Sequence, residues 1–356
     1  MTRARAPYME WAKKRPRAEV DLAGSNLLAC RLEDLPGARE ALDIAGESPN
    51  GYPPLVAAIA EHSGVDPSRV STAGGCSGAN FLALAAILDA GDEVLIEWPG
   101  YDPLVAAARM LGGEVRFFER RFDEGWAIDP DRVAASVTGR TRAVVLSSPH
   151  NPSGVLASEE ALDRLGALAS RRGFSVLVDE VYLETVEGRG AEPAAARRPE
   201  FISTNSLTKA FGLTALRCGW SVASLETAEA IRRARDVADV HSAIPADRLS
   251  VVAFRNLPAL RDRARRILAA NRDLWRAFAD GAEALEWVPP DGSVVFPRFR
   301  DGRDAGDFAS RLFDRHRVAV APGSFFGAPS HFRVSLGGST DRLARGLEAI
   351  ARELGS

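Results

Sequence analysis

The sequence predicts an α/β fold, a mainly parallel sheet with helices on both faces, joined to a smaller α+β unit. From about residue 45 to 235, short β-branched runs alternate with longer Ala-, Leu- and Arg-rich stretches of helical spacing. After about residue 250 the texture changes to one long helical stretch, short alternating runs and a final helix. The length, 356 residues, fits two domains at roughly 100–200 residues each.

Five runs read as strands of the first unit: Glu93–Glu97 (EVLIE), Glu114–Phe118 (EVRFF), Arg142–Leu146 (RAVVL), Ser175–Val178 (SVLV) and Phe201–Thr204 (FIST). Among the helical stretches between them, Ser158–Arg172 has Ser158 to cap its start and Gly173 to end it. Further on, a helix is expected from roughly Pro258 to Leu285, then strands Ser293–Arg298, Arg317–Ala321 and His331–Leu336, then a helix near Asp341–Leu354. The N-terminal segment is assigned to this second unit. The expected domains are therefore 40–260, and 1–39 together with 261–356.

Composition narrows the function. Lys+Arg total 45 against 48 Asp+Glu, with 46% apolar and 26% charged residues, which excludes a disordered or fibrous chain. The balance is slightly acidic with no long basic block, so nucleic acid is not an expected partner. No apolar run approaches the roughly 18 residues of a membrane helix. The basic N-terminal segment lacks the apolar stretch of a secretory signal. Cys30, Cys76 and Cys218 are far apart and form no CxxC pair, so neither disulfides nor a zinc site is expected. A cytoplasmic protein with no membrane partner and no metal follows as the expectation.

Only Lys13, Lys14 and Lys209 are lysines; every other basic residue is arginine. Lys13 and Lys14 fall in the basic, exposed-looking N-terminal segment. Lys209 lies deep in the chain, where a generic positive charge would have been arginine, so it invites a chemical explanation.

In parallel α/β sheets, ligands gather at the C-terminal strand ends. After RAVVL come Ser147-Ser148-Pro149-His150 and then Asn151-Pro152-Ser153-Gly154; after SVLV come Asp179-Glu180-Val181-Tyr182; after FIST come Asn205-Ser206-Leu207-Thr208-Lys209, with Arg217 beyond. Hydroxyls and arginine suit a phosphate, a lysine beside them suits a Schiff base, and a carboxylate suits a ring nitrogen kept protonated. Taken singly, each is weak: Asn-Pro-Ser-Gly favours a turn, and Arg217 and Arg333 are two arginines among many. Other motif readings fail. Gly74–Gly78 is not GxGxxG and has no strong strand before it, Ser206–Lys209 lacks the glycine spacing of a Walker loop, and no GxSxG appears.

Together, NPSG (Asn151–Gly154), DEVY (Asp179–Tyr182), SLTKAFGLTALRCGW (Ser206–Trp220), GYPPLVAAIA (Gly51–Ala60), PGSFFG (Pro322–Gly327) and FRVSL (Phe332–Leu336) resemble the class I/II aminotransferases, fold-type I pyridoxal-phosphate enzymes. The resemblance spans nearly the whole chain. It implies a seven-stranded-type large domain, pyridoxal 5'-phosphate as cofactor, and a homodimer acting on an amino acid and a 2-oxo acid. By the same resemblance, Lys209 forms the internal aldimine and then moves the α-proton. Asp179 pairs with the pyridinium nitrogen, and Asn151 and Tyr182 bond the ring hydroxyl. Ser206, Thr208, Arg217 and the turn Gly75-Cys76-Ser77 hold the phosphate, with little expected of the Cys76 side chain. Tyr101 stacks on the ring, with Trp98 ranked second, and Arg333 grips the substrate carboxylate beside Asn151. His150 and His241 read as structural, and Glu180 as a residue behind the site or on the surface.

Two departures stand out. Many relatives carry a tyrosine shortly before GxPxL that reaches the partner's phosphate; Ala45–Asn50 has none, and Tyr52 comes one residue too late. The region Asp236–Ile244 also lacks the arginine that dicarboxylate-selective relatives place there. The resemblance implies an aminotransferase; the alternative is a lyase, a decarboxylase or other specialised chemistry on the same scaffold. A cofactor-binding regulator would carry an added DNA-binding domain; with the core expected to start by about residue 20, that reading is not expected.

Overall fold

The computed structural model describes residues 5–355, so the first four residues of the basic N-terminal segment and Ser356 lie outside it. Its centre is a seven-stranded sheet: β1 (Val70–Gly74), β2 (Glu93–Trp98), β3 (Glu114–Glu119), β4 (Thr141–Ser147), β5 (Ser175–Asp179), β6 (Phe201–Ser206) and β7 (Cys218–Val222). The spatial order is β1-β7-β6-β5-β4-β2-β3. Only β7 runs against its neighbours, pairing antiparallel with β1 and β6, while the other pairs are parallel.

Side chains alternate between faces along each strand. Leu95, Val144, Leu146, Val176 and Val178 enter one core; Val94, Ile96, Ala143, Val145 and Leu177 enter the other. Burial on both faces explains why the central runs read as continuous β-branched stretches. The five expected strands are present. β1 and β7 were not foreseen, because VSTAG and CGWSV are polar and glycine-containing. The strand β1 directly precedes Gly75, where the sequence had shown no strong strand. At Gly219 in β7 a Cβ would fall 2.2 Å from the carbonyl carbon of Gly75, so only glycine admits this close approach.

The second hydrophobic core gathers Leu22, Leu268, Trp275, Phe299, Phe308, Phe332 and Ile350. Its central sheet is three-stranded and antiparallel, with β10 (Phe332–Ser335) between β8 (Val294–Val295) and β9 (Ala321–Pro322). The expected long helix runs Leu257–Asp280 and ends earlier than predicted, because Leu285–Glu286 pairs with Arg298–Phe299 as a short strand. Leu257 and Leu260 pack into the sheet core, whereas Ala264, Leu268 and Trp275 pack into the second, so this helix spans both cores. The final helix is Thr340–Leu354. No described helix is long and apolar enough to cross a membrane.

Candidate active site

Register aligns the strand ends. Ser147 of β4 lies opposite Asp179 of β5, and Asp179 opposite Thr204 of β6. The residues following these strands therefore share one edge of the sheet. β1 runs in the same sense as β6 because both are antiparallel to β7. Its end opens into the helix α1 (Gly75–Ile87) on that same edge.

Lys209 is half-buried. Its Nζ donates to Ser25 Oγ at 3.0 Å and to Asn26 Oδ1 at 2.7 Å, and lies 6.0 Å from the centre of the Tyr182 ring. Desolvation, with the Arg333 guanidinium second, pulls the amine down to about 8. Burial pushes the Tyr182 phenol up to about 12. The Asp179 carboxyl is raised by burial, against hydrogen bonds that favour its charge. Its Oδ1 accepts from Val181 N at 3.1 Å and from Cys76 Sγ at 3.2 Å; Oδ2 accepts from Asn80 Nδ2 at 2.7 Å.

Arg333 follows from strand alternation. Phe332 and Val334 enter the second core, so Arg333 points from β10 to the opposite face, fully buried. It donates to Asn151 Oδ1 at 2.7 Å, to Tyr8 Oη at 2.5 Å and to Ala23 O at 2.9 Å, and its Nε has no partner. Among the described residues, no carboxylate shares this set of contacts. Asn151 is itself fixed, its backbone N–H donating to Ser147 Oγ at 2.9 Å.

The phosphate-type residues also converge. Gly75, Cys76 and Ser77 supply the first N–H groups of α1, where an anion is favoured. Gly75 has φ 79°, and the Arg217 guanidinium packs so closely over it that a Cβ would lie 2.2 Å from Nη2. Arg217 donates to Gly74 O at 2.8 Å. Thr208 N donates to Ser206 Oγ at 3.3 Å, and Thr208 Oγ1 is buried without a partner. An orphaned hydroxyl on the sheet's same edge, with a guanidinium packed over a helix N-terminus, fits a dianion such as the cofactor's phosphate. The Cys76 thiol points the other way, to Asp179, so the side chain has a partner that the sequence did not reveal.

Tyr101 sits edge-on to Tyr8 with ring centres 6.1 Å apart, and its Oη lies 3.4 Å from Met9 Sδ. Trp98 packs on Phe117 with ring centres 4.9 Å apart, and over Gly327. His150 is buried between Ser153 Oγ at 2.7 Å and Pro99 O at 2.8 Å, and His241 bonds Ser48 O at 2.9 Å. Glu180 is not on the surface: it is buried, accepts from Ala194 N at 2.9 Å, and burial raises it to about 7. Tyr52 faces Arg248 of its own chain, with the guanidinium 5.8 Å from its ring centre.

Sequence reasoning missed Tyr8, Ser25, Asn26 and Asn80. The first three come from the N-terminal segment, which carries no motif; Tyr8 is buried and anchored by its N–H to Asp102 Oδ2 at 2.8 Å. Asn80 had a faint signal, as the one amide in the apolar stretch of α1.

Comparison with known proteins agrees with this geometry. The family described as aminotransferase class I and II matches residues 36–350. Capreomycidine synthase of Streptomyces vinaceus is 32% identical over 372 residues, covering 99% of this chain and 94% of that protein. Aspartate/prephenate aminotransferase of Thermus thermophilus is 32% identical over 321 residues, covering 86% and 82%. A PLP-dependent aminotransferase structure from Streptococcus suis superposes with a TM-score of 0.93 over 100% of this chain and 98% of its own, at 24% identity, a likeness of fold. The PLP-dependent cyclase OrfR gives a TM-score of 0.88 at 27% identity, covering 99% and 97%. Because the family match takes in every strand end that builds the cleft and runs on into the second core, this chain belongs to the class I and II aminotransferase family and uses pyridoxal 5'-phosphate as its cofactor.

Proposed function

We propose that the protein is an aminotransferase moving an amino group between an α-amino acid and a 2-oxo acid. The observation that carries this is the pairing of a half-buried lysine amine with a buried arginine that has no carboxylate partner, in one cleft. When bound, pyridoxal phosphate supplies an electron sink for the charge left as an α-proton departs. Asp179 would keep the ring nitrogen protonated, Asn151 and Tyr182 would bond the ring hydroxyl, and Tyr101 would lie against the ring. Ser206, Thr208, Arg217 and the N–H groups of Gly75, Cys76 and Ser77 would hold the phosphate.

Arg333 takes the substrate carboxylate and so fixes where the α-hydrogen points. Lys209 then removes that proton. With its amine at about 8, roughly a tenth is neutral at pH 7, enough for a base that also reacts as a nucleophile. A dicarboxylic donor is not favoured, because Asp236–Ile244 contains no arginine.

A second reading, cyclisation or elimination on the same scaffold, rests on the full-length similarity to capreomycidine synthase and to OrfR. The same lysine, aspartate and arginine would serve it, as they would a lyase or decarboxylase. The outcome then depends on a leaving group in the substrate side chain. We also propose a cytoplasmic homodimer, and domains of 40–260 and of 1–39 with 261–356, hinged on the helix Leu257–Asp280.

The test is a panel of amino acids given singly to the holoenzyme without any 2-oxo acid. Formation of one equivalent of 2-oxo acid per site, resuming when an acceptor is added, supports transamination. Continuous turnover without an acceptor, releasing a cyclised product or, on elimination, a 2-oxo acid together with ammonia, supports the second reading.

A further inference from the structure

Four buried side chains form a closed set behind the cleft. Asn80, one helical turn past Cys76 on α1, is 4% exposed, and Thr204, beside Asp179 in the sheet, is 0% exposed. Asn80 Nδ2 donates to Asp179 Oδ2 at 2.7 Å, while Thr204 Oγ1 donates to Asn80 Oδ1 at 2.5 Å. Cys76 Sγ donates to Asp179 Oδ1 at 3.2 Å and lies 3.6 Å from Thr204 Oγ1. The network fixes the orientation of the amide. Flipping it would turn its carbonyl toward a carboxylate and its NH2 toward a hydroxyl already placed to donate.

We propose that Asn80 is a positioning residue that fixes the Asp179 carboxylate where it would meet the cofactor's ring nitrogen, with Thr204 bracing Asn80 and Cys76 holding the other carboxylate oxygen. This rests on the reading that Asp179 pairs with that nitrogen. The physical case is one of desolvation. A carboxylate this deeply buried favours its neutral form unless donors are aimed at it, and no cation bonds it directly. Asn80, Cys76 and the Val181 N–H are those donors. Being neutral, they keep the aspartate charged without satisfying the charge. The electrostatic demand for a cation is thus left to the pyridinium. An arginine or lysine at position 80 would compete with the ring for the carboxylate.

The experiment follows the 15N signal of pyridoxal phosphate labelled at its ring nitrogen, bound to the wild type, Asn80→Leu and Thr204→Val proteins. Cofactor affinity is measured by equilibrium dialysis, and melting temperature is measured on each protein without cofactor. Leucine has the branched shape of asparagine but donates nothing, and valine is close in shape to threonine. In Asn80→Leu the ring-nitrogen signal should move toward the unprotonated position, with cofactor affinity falling by about 10-fold, the effect of one charge-assisted hydrogen bond. Thr204→Val should move the signal the same way by less. Should Asn80→Leu fail to accumulate folded, Thr204→Val carries the test alone. A wild-type ring-nitrogen signal in the folded variants, with only the melting temperature lowered, would make Asn80 merely structural and overturn the proposal. A wild-type ring nitrogen that is itself unprotonated would instead overturn the Asp179 assignment beneath it.

Discussion

Arg333 and Asn151 meet across the cleft, the guanidinium Nη1 donating to the amide Oδ1 at 2.7 Å, with both side chains buried. This bond ties β10, in the second core's sheet, to the loop that follows β4. It also assigns the asparagine amide: with Oδ1 committed to arginine, Nδ2 is the end free to donate, and in the proposed reading it would donate to the ring hydroxyl.

Asn151→Ala should therefore damage both substrate and cofactor contacts. The loss of a hydrogen bond to a charged group, about 1.5–3 kcal/mol, predicts a fall in kcat/KM of about 10- to 100-fold. Arg333→Lys keeps the charge but loses the planar fork, and should fall by a similar factor, mainly through KM for the amino acid. Steady-state kinetics with the best donor decides both.

Lys209 gives a pH prediction. Its amine is lowered from 10.5 to about 8, so the neutral, reactive form accumulates above that point. Capture of pyridoxal phosphate by the cofactor-free protein, followed by visible absorption, should quicken through about pH 8 and level off above it. Arg333 is the second cause of the depression, so Arg333→Gln should move that midpoint upward. Between about pH 8 and 10.5 the unfolded chain binds more protons at this lysine than the folded one, so its contribution to stability rises with pH in that window.

Gly219→Ala should disrupt the approach of β7 to the start of α1, because its Cβ would fall 2.2 Å from Gly75 C and 2.4 Å from Gly75 O. A loss of roughly 1–3 kcal/mol is expected in urea unfolding, with weaker cofactor binding. Gly78→Ala serves as the control. Its Cβ would meet nothing nearer than 3.7 Å, and the helix should gain up to about 1 kcal/mol.

A buried ion pair supports the same corner. Arg120 donates to Glu97 Oε2 at 2.9 Å with both side chains 0% exposed, and Glu97 Oε1 accepts from Ser147 N at 2.7 Å and Ser147 Oγ at 2.5 Å. Ser147 Oγ in turn holds the Asn151 backbone. Arg120→Met leaves Glu97 buried and unpaired, which should cost about 3–5 kcal/mol in denaturant unfolding. The fall in kcat/KM should accompany the destabilisation even where the protein stays folded.

What the sequence made legible follows a physical division. Asp179, Lys209 and Asn151 were found because each follows a strand buried on both faces, and such strands announce themselves as continuous apolar runs. β1 and β7 escaped because their residues are small and polar, chosen for close approach, as Gly219 is to Gly75. Tyr8, Ser25 and Asn26 reach the cleft from the N-terminal segment. Only tertiary contact brings them there, so no local pattern could mark them. The Cys76 side chain was assigned little because its neighbours in sequence point to a phosphate, whereas its neighbour in space is a carboxylate 103 residues away.

The central claim is that Lys209 is the residue joined to the cofactor. The direct measurement is borohydride reduction of the holoenzyme, followed by proteolysis and mass mapping of the pyridoxyl label. The account predicts one label per chain on the peptide containing Lys209, absent from Lys209→Ala. Label on Lys13 or Lys14, or none on any lysine, would contradict it.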